Sequence, residues 1–138
     1  MGDDHLFGAA HVERYQATDG DEGFHWKRDT TILLLTTVGR RSGEERIQPL
    51  IFREVEGNPV IVASKGGSPE QPGWFLNLRD ADEVGVQIKG DRFRATPRVA
   101  EGEERDRLWA AMTEVWPDYD QYQTRTDRQI PVVVLERA

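Results

Sequence analysis

The chain has 138 residues, of which 37% are hydrophobic and 31% are charged, and we expect one soluble domain (1–138) with a modest core. Its net charge of −7 argues against nucleic acid as the main partner, because neutralising phosphates requires a basic surface. The sequence contains no cysteine, which excludes disulfides, thiolate metal sites and a cysteine nucleophile.

The first half of the chain predicts a helix followed by three strands. The helix is expected over residues 8–18, with Val12 and Tyr15 on one face, and an acidic loop follows over Asp19–Gly23. Apolar and β-branched runs then predict the strands Thr30–Val38, Arg46–Val55 and Val60–Ser64, separated by turns at 39–45 and at Gly57-Asn58-Pro59. Pro49 within the second strand indicates a sheet edge or a bulge.

The second half predicts two more helices and three more strands. A loop, Lys65–Gly73, precedes a short helix, Trp74–Arg79. Alternation predicts a strand from Val84, a hairpin turn at Gly90-Asp91 and a return strand with Phe93, Ala95 and Val99 on one face. The helix Glu103–Trp116 is expected to bury Leu108, Met112, Val115 and Trp116 and to end at Pro117, before a last strand, Ile130–Leu135.

The order of these elements indicates the fold class. The strands follow one another as hairpins and do not alternate regularly with helices, which argues against a doubly wound parallel sheet. We expect a mainly β fold with added helices, in which about six antiparallel strands form a barrel.

Two features bear on where the protein works. The N-terminal residues lack the basic start and long apolar stretch of a signal peptide. The longest apolar run, Ile32–Leu35, is far too short to span a bilayer. We therefore expect a cytoplasmic protein without a transmembrane segment, while peripheral membrane contact and the oligomeric state stay open.

Several common chemistries lack their sequence patterns. The only histidines, His5, His11 and His25, precede the first strand without the helical spacing of a zinc site, so no metal is expected. The chain has no nucleophile-elbow motif, no Gly-x-Gly-x-x-Gly after a strand and no phosphate-binding Walker loop. A hydrolase and a nicotinamide-binding Rossmann enzyme are both disfavoured.

Two turns carry candidate ligand-binding residues. Arg40, Arg41 and Arg46 concentrate positive charge in an acidic chain, and their planar donors match phosphate or carboxylate oxygens. A solvated turn whose arginines pair with acidic neighbours, Glu44 and Glu45, fits this segment equally well. Further along, Ser64 and Lys65 lie where a strand opens into a Gly-rich loop, for which a flexible hairpin loop is the simpler interpretation.

Aromatic residues supply two further candidates. Trp74 and Asn77 are three apart and share one helix face, where a buried amide needs a polar partner. Trp116, Tyr119 and Tyr122 have the same spacing and could cover a flat ligand, although an aromatic seam closing the barrel explains the spacing as well.

Together these segments resemble the deazaflavin (coenzyme F420)-dependent nitroreductase and quinone reductase family. The matching text is GFHW (23–26), LLLTTVGRRSGEER (33–46), QPL (48–50), IVASKGG (61–67), W-x-L-N-L (74–78) and YDQYQTRTDRQIPVVVLE (119–136). The matches run in the expected order from about residue 10 to the C-terminus. The resemblance implies a split β-barrel, related to FMN-binding split barrels.

The resemblance also implies a set of site residues. Cofactor contacts would come from Arg40, Arg41, Ser42 and Arg46 at the phosphate and acidic tail, from Ile47, Gln48, Pro49, Leu50 and Ile51 along a strand, from Val62, Ala63, Ser64 and Lys65 beside the ring, from Gly73, Trp74, Phe75, Leu76 and Asn77 at the linker and edge, and from Tyr119. Ser64, Tyr119 and Tyr122 would face the substrate as catalytic residues. One departure affects the substrate range, since relatives with nitroreductase activity often have tyrosine where Trp116 stands.

The expected function is hydride transfer from reduced coenzyme F420 to a small, planar, electron-poor acceptor, either quinone-like or nitroaromatic. Two alternatives stay open. The first is a split-barrel oxidoreductase that uses FMN, against which the arginines of the 39–46 turn argue, because coenzyme F420 carries a longer anionic tail. The second is a protein that binds the cofactor without turnover.

Overall fold

The computed structural model describes residues 3–138 and contains four helices and seven strands. The helices are α1 (Gly8–Thr18), α2 (Gly73–Arg79), α3 (Gly102–Val115) and α4 (Asp118–Thr124). The strands are β1 (His25–Trp26), β2 (Thr30–Val38), β3 (Glu45–Val55), β4 (Asn58–Val62), β5 (Val84–Ile88), β6 (Asp91–Val99) and β7 (Val132–Arg137). Single turns of 3-10 helix lie at Lys27–Asp29 and Lys65–Gly67.

Six of the strands close into an antiparallel barrel. The sheet order is β1-β2-β3-β4-β7-β6-β5, and an additional pairing of β2 with β5 closes it. Every pairing is antiparallel, as the hairpin pattern predicts. The split-barrel prediction is confirmed. The short extra strand β1 pairs with the first two residues of β2.

Alternate residues of the strands pack inside and outside the barrel. Leu33 and Leu35 of β2 face the interior with Val133 and Leu135 of β7, and α2 contributes Phe75 and other apolar side chains to this core. The outward residues of β2 pack against α1 through Tyr15. The outward residues of β4 and β7 pack against α3 and α4. The helices therefore cover two separate outer faces of the barrel.

Between these two faces, β3 and β4 are paired over only part of their length. β3 pairs with β2 from residue 45 to residue 52, but it pairs with β4 only through residues 53–55. Within residues 3–138, the segment 45–52 has a strand neighbour on one side only. Pro49 lies in this segment in continuous register with Leu34, so it marks a sheet edge and no bulge, which decides between the two expectations for this proline.

Two hairpin turns differ by one residue from the sequence expectation. The β3–β4 turn is formed by Glu56 and Gly57, with φ values of 54° and 87°, so Asn58 already belongs to β4. The β5–β6 turn is Lys89-Gly90, with Lys89 at φ 54°, and Asp91 pairs with Ile88. In both turns a charged residue takes a left-handed position that sequence patterns assign to glycine or asparagine.

Other boundaries shift for local reasons. β4 ends at Val62, because Ser64 already turns into the following loop with φ −81° and ψ −39°. The helix α3 ends at Val115, because Trp116 has φ −143° and ψ 81°. Trp116, which the sequence placed inside this helix as a buried residue, lies outside α3, and both Val115 and Trp116 are half-buried. Val99 is 40% exposed although Ala95 on the same face is buried. Among residues 3–138, no helix combines the length and apolar character needed to cross a bilayer.

Candidate functional site

Two adjoining cavities open where β3 separates from β4. The larger has a volume of about 570 Å³ and the smaller about 280 Å³. Gln48, Gly73 and Trp74 line both cavities, so the two form one continuous groove. This size is typical of pockets for small molecules and cofactors.

Four parts of the fold build the larger cavity. The exposed edge of β3 forms one wall, and the loop after β4 together with the start of α2 forms another. The remaining walls come from α1 with β1 and from α4. The side chains and glycines involved are Phe7, Gly8, His11, Trp26, Ile32, Gln48, Pro49, Leu50, Ile51, Val62, Ser64, Lys65, Gly66, Pro72, Gly73, Trp74, Trp116, Tyr119 and Tyr122.

The smaller cavity lies under the turn between β2 and β3. Arg40, Arg41 and Arg46 line it together with Ser42. Within the part of the chain that the structure describes, none of these arginines forms a salt bridge. Pairing with acidic neighbours in the turn is therefore not observed, and the positive charge of the three guanidinium groups is not neutralised by a carboxylate of residues 3–138.

Asn77, in the middle of α2, orders this turn. Its Oδ1 atom accepts hydrogen bonds from the backbone N–H of Arg40 at 3.1 Å and from the Arg40 side chain at 3.0 Å. Its Nδ2 atom lies 3.5 Å from Oγ1 of Thr37. The buried amide of Asn77 therefore has the polar partner that its burial requires. Its hydrogen bonds to Arg40 fix the turn between β2 and β3 beside the smaller cavity.

The loop after β4 brings Ser64 and Lys65 to the larger cavity. Lys65, Gly66 and Gly67 have φ values of 47°, 62° and 85°, so three successive residues are left-handed. A Cβ atom on Gly67 would lie 2.5 Å from the backbone oxygen of Tyr122. The loop therefore packs directly against α4, and only glycine fits at this contact.

The aromatic residues of the α3–α4 junction form the opposite wall. The rings of Tyr119 and Tyr122 meet edge to face, with centroids 6.1 Å apart. The indole N–H of Trp116 donates to the Tyr122 hydroxyl at 3.3 Å, which leaves the hydroxyl hydrogen of Tyr122 free to donate elsewhere. Burial, and then the neighbouring Tyr122, raise the pKa of Tyr119, so its hydroxyl keeps its proton at neutral pH.

One wall of the cavity was missed by the sequence interpretation. Trp26 stacks on Trp116 with ring centroids 6.2 Å apart and an interplanar angle of 17°. The guanidinium of Arg28 lies over the Trp116 ring, 4.4 Å from its centroid, and pairs with Asp118. His11 is buried beside Trp26 and is held by the Gly23 carbonyl at 2.7 Å. The GFHW segment (23–26) is part of the family resemblance, but that resemblance assigned no site role to Trp26.

Most of the predicted site residues line one of the two cavities, and four do not. Ile47 lies in a separate groove on the outer face of the barrel, beside Leu34. Phe75 is buried in the barrel core, and Leu76 lines neither cavity. Ala63 is fully buried, and its backbone is engaged by Pro131 and Arg128. Alternation along a strand or helix explains these differences, because a continuous segment cannot point every side chain to one side.

The groove suits a ligand with a flat ring and an anionic tail. The aromatic walls lie at one end, and the arginine turn without salt bridges lies at the other. Between them, a Cβ atom added at Gly66 or Gly73 would meet no heavy atom of residues 3–138 within 4 Å apart from its chain neighbours and its own helix backbone, so a ligand can approach the backbone closely. Charge, shape and backbone access therefore agree with a deazaflavin that carries phosphate and glutamate groups.

Comparison with known proteins gives a consistent picture. A family model described as F420H(2)-dependent quinone reductase matches residues 8–137. The F420H(2)-dependent quinone reductase Rv1261c of Mycobacterium tuberculosis is 36% identical over 130 residues, which cover 92% of this chain and 87% of that protein.

Two solved structures are also similar. An F420-H2 dependent reductase (FDR-A) has a TM-score of 0.70 and 43% identity, covering 76% of this chain and 93% of that chain. A structure described as a domain-swapped dimer has a TM-score of 0.73 and 40% identity, covering 91% of this chain and 93% of that chain.

Proposed function

Because the chain belongs to the F420H(2)-dependent quinone reductase family, we propose that it transfers a hydride from reduced coenzyme F420 to a quinone-like or nitroaromatic acceptor. The observation that carries the proposal is the continuous groove, with three arginines free of salt bridges at one end and tyrosines at the other. When bound, coenzyme F420 supplies the hydride, and the chain supplies binding, orientation and electrostatics.

The cofactor would be held along the groove. Arg40, Arg41, Ser42 and Arg46 would bind the phosphate and acidic tail, with Lys65 adding charge nearby. The edge of β3 from Gln48 to Ile51, the Val62–Lys65 segment and Gly73 with Trp74 would border the ring and linker. Asn77 would act indirectly, since its amide oxygen is already engaged by Arg40.

Three side chains of this protein would face the acceptor. Tyr122 has a hydroxyl hydrogen free to donate, and the hydroxyl of Tyr119, whose pKa burial raises above the ordinary tyrosine value, is protonated at neutral pH as well. Ser64 lines the same cavity on the opposite wall. Hydroxyl donors placed near an acceptor oxygen stabilise the negative charge that develops there, and the surrounding aromatic rings exclude water.

A titration with purified cofactors tests the cofactor assignment. We expect coenzyme F420 to bind at least tenfold more tightly than FMN, about 1.4 kcal/mol, because its longer anionic tail reaches the arginine turn. Fluorescence titration measures both affinities. FMN binding that is equal or tighter would replace this assignment with the FMN alternative. Steady-state oxidation of the reduced cofactor, with an acceptor present, separates an enzyme from a binding protein.

The tyrosines give the second prediction. We expect Tyr122→Phe and Tyr119→Phe to lower kcat and kcat/KM together by about tenfold, because a hydrogen bond made mainly in the transition state is lost. Turnover is measured with one quinone and one nitroaromatic acceptor. Trp116→Tyr is expected to change the preference between these acceptors more than the cofactor affinity, because it alters the width of the cavity.

Tyr15→Phe is the matched control for the loss of a hydroxyl. Tyr15 is buried between α1 and the barrel, where its hydroxyl oxygen accepts a hydrogen bond from the Lys89 N–H at 2.7 Å and its O–H donates to the Ile32 carbonyl at 3.0 Å. This variant should lose stability while the folded fraction keeps its turnover. Parent-like kinetics in all three aromatic variants at 116, 119 and 122 would remove these residues from the active site.

A further inference from the structure

The loop between β4 and α2 needs an external support. Its residues Lys65, Gly66 and Gly67 are successively left-handed, and this conformation is unfavourable for a lysine. A backbone in such a conformation persists only where the surrounding structure holds it. The same loop lines the larger cavity through Ser64 and Lys65, so whatever holds it also sets the shape of that cavity.

Arg128 provides this support with a single guanidinium group. Its Nη2 atom donates to the Ser64 carbonyl at 2.8 Å, and its Nε atom donates to the Ser68 carbonyl at 2.8 Å. Its Nη1 atom donates to Oε1 of Gln71 at 2.7 Å and to the Ala63 carbonyl at 3.3 Å. The planar donors thereby fix the start, the middle and the end of the loop relative to one another.

The surroundings of Arg128 indicate that its donor geometry matters more than ion pairing. In residues 3–138 it forms no salt bridge, and its acceptors are neutral carbonyl and amide oxygens. Burial lowers the pKa of Arg128 without a compensating carboxylate. Partial burial of this guanidinium costs solvation free energy, and its hydrogen bonds to the loop oxygens offset that cost.

The backbone of Arg128 is in turn fastened to α4. Nε2 of Gln123 donates to the Arg128 carbonyl at 2.8 Å, while Oε1 of Gln123 accepts the Ile130 N–H at 2.9 Å. The buried Arg105 completes this connection by donating to the Ile130 carbonyl at 2.7 Å. Gln123 and Tyr119 both belong to α4, so these hydrogen bonds connect the loop between β4 and α2 to the helix that carries Tyr119.

We propose that Arg128 is a positioning residue that fixes Ser64 and Lys65 against the cavity and keeps this loop in place relative to α4. It acts through the loop and does not itself line either cavity. The identity of the ligand rests on the function proposed above, whereas the hold on the loop is a property of the chain alone.

Amide hydrogen exchange of the cofactor-free protein tests this hold directly. The N–H groups of Gly67 and Ser68 bond to loop carbonyls at 2.9 and 3.1 Å, so their exchange reports opening of the loop. In Arg128→Ala, both should exchange at least tenfold faster, while the amide of Val86 in the β5–β6 hairpin keeps its parental rate. Arg107→Ala removes the same charge at an exposed pair with Glu56 and should leave all three rates unchanged.

Titration with coenzyme F420 provides the second arm. Arg128→Ala should weaken binding at least tenfold. Arg128→Lys should stay at least fivefold weaker than the parent, because one ammonium group cannot span the loop from its start to its end. Arg128→Lys also serves for the exchange measurement where the alanine variant fails to fold.

Three results would overturn the proposal: parental exchange at Gly67 and Ser68, equal acceleration at Val86, or full recovery of exchange and binding in the lysine variant. The last would show that charge alone is sufficient. If the parent protein binds no coenzyme F420, the function proposed above fails, and faster exchange at Gly67 and Ser68 still supports the hold of Arg128 on the loop.

Discussion

Replacing Gly67 with alanine is expected to destabilise the protein by about 2–4 kcal/mol and to lower its melting temperature by about 10 °C. Two effects add at this position. The left-handed φ of 85° disfavours any residue with a Cβ atom, and that atom would lie 2.5 Å from the backbone oxygen of Tyr122. Because neither backbone can give way without moving the loop or α4, cofactor affinity should fall as well. Thermal melts and cofactor titration measure both losses.

Gly57→Ala is the matched control for this substitution. Gly57 has a similar φ of 87°, but no neighbouring atom lies within 4 Å of its added Cβ, and it belongs to the β3–β4 turn. Its alanine variant should lose only about 1 kcal/mol, from backbone strain alone, and should bind the cofactor as the parent does. Equal losses in the two variants would mean that the loop does not press against α4.

Removing two arginines from the turn after β2 is expected to weaken cofactor binding about 100-fold. Arg41→Ala and Arg46→Ala should each cost about tenfold, or about 1.4 kcal/mol, which lies near the lower end for charge-assisted hydrogen bonds because both side chains are exposed. The parent should also lose affinity more steeply than the double variant as salt is raised, since counter-ions screen exposed charges. Fluorescence titration at two salt concentrations measures both effects.

The double variant Arg92→Ala/Arg94→Ala separates local charge from overall charge. Like the double variant of the turn, it removes two positive charges from a chain of net charge −7. Its two arginines, however, lie on β6, where they pair with Asp19 and Glu83. Parental affinity in this variant, beside a loss in the turn variant, would assign the effect to the turn. Parental affinity in both would leave the turn arginines without a role in binding.

Patterns that repeat along the chain made the barrel predictable from the sequence. Continuous apolar runs in β2 and β7 predicted buried strands, and the structure confirms both. Pro49 indicated a sheet edge or a bulge, and it lies at an edge. The cluster of arginines after β2 and the triple spacing of Trp116, Tyr119 and Tyr122 also indicated residues that the fold brings to one groove. In each case the relevant neighbours are close in sequence.

Features that depend on distant partners were not predictable in this way. No sequence pattern assigned a role to Arg128 or Arg105, yet they bond to carbonyl oxygens up to 65 residues away. Trp26 reaches the cavity only because β1 extends the sheet beside β2, and two residues are too few to give a strand pattern. Sequence periodicity predicts which face of a strand or helix a residue occupies, but it does not predict which distant segment packs against that face.

The exposed edge of β3 also bears on association between copies of this chain. A strand with unpaired backbone groups is a template for pairing with a strand of another molecule, and such edges promote aggregation. At residues 45–52 the edge of β3 is kept free for the groove, and Pro49 interrupts it because proline has no backbone N–H to offer. The exposed charges of Glu45 and Arg46 at the end of the same edge add a further obstacle to another strand. The proline that lines the groove is therefore also expected to oppose association of two chains through that wall.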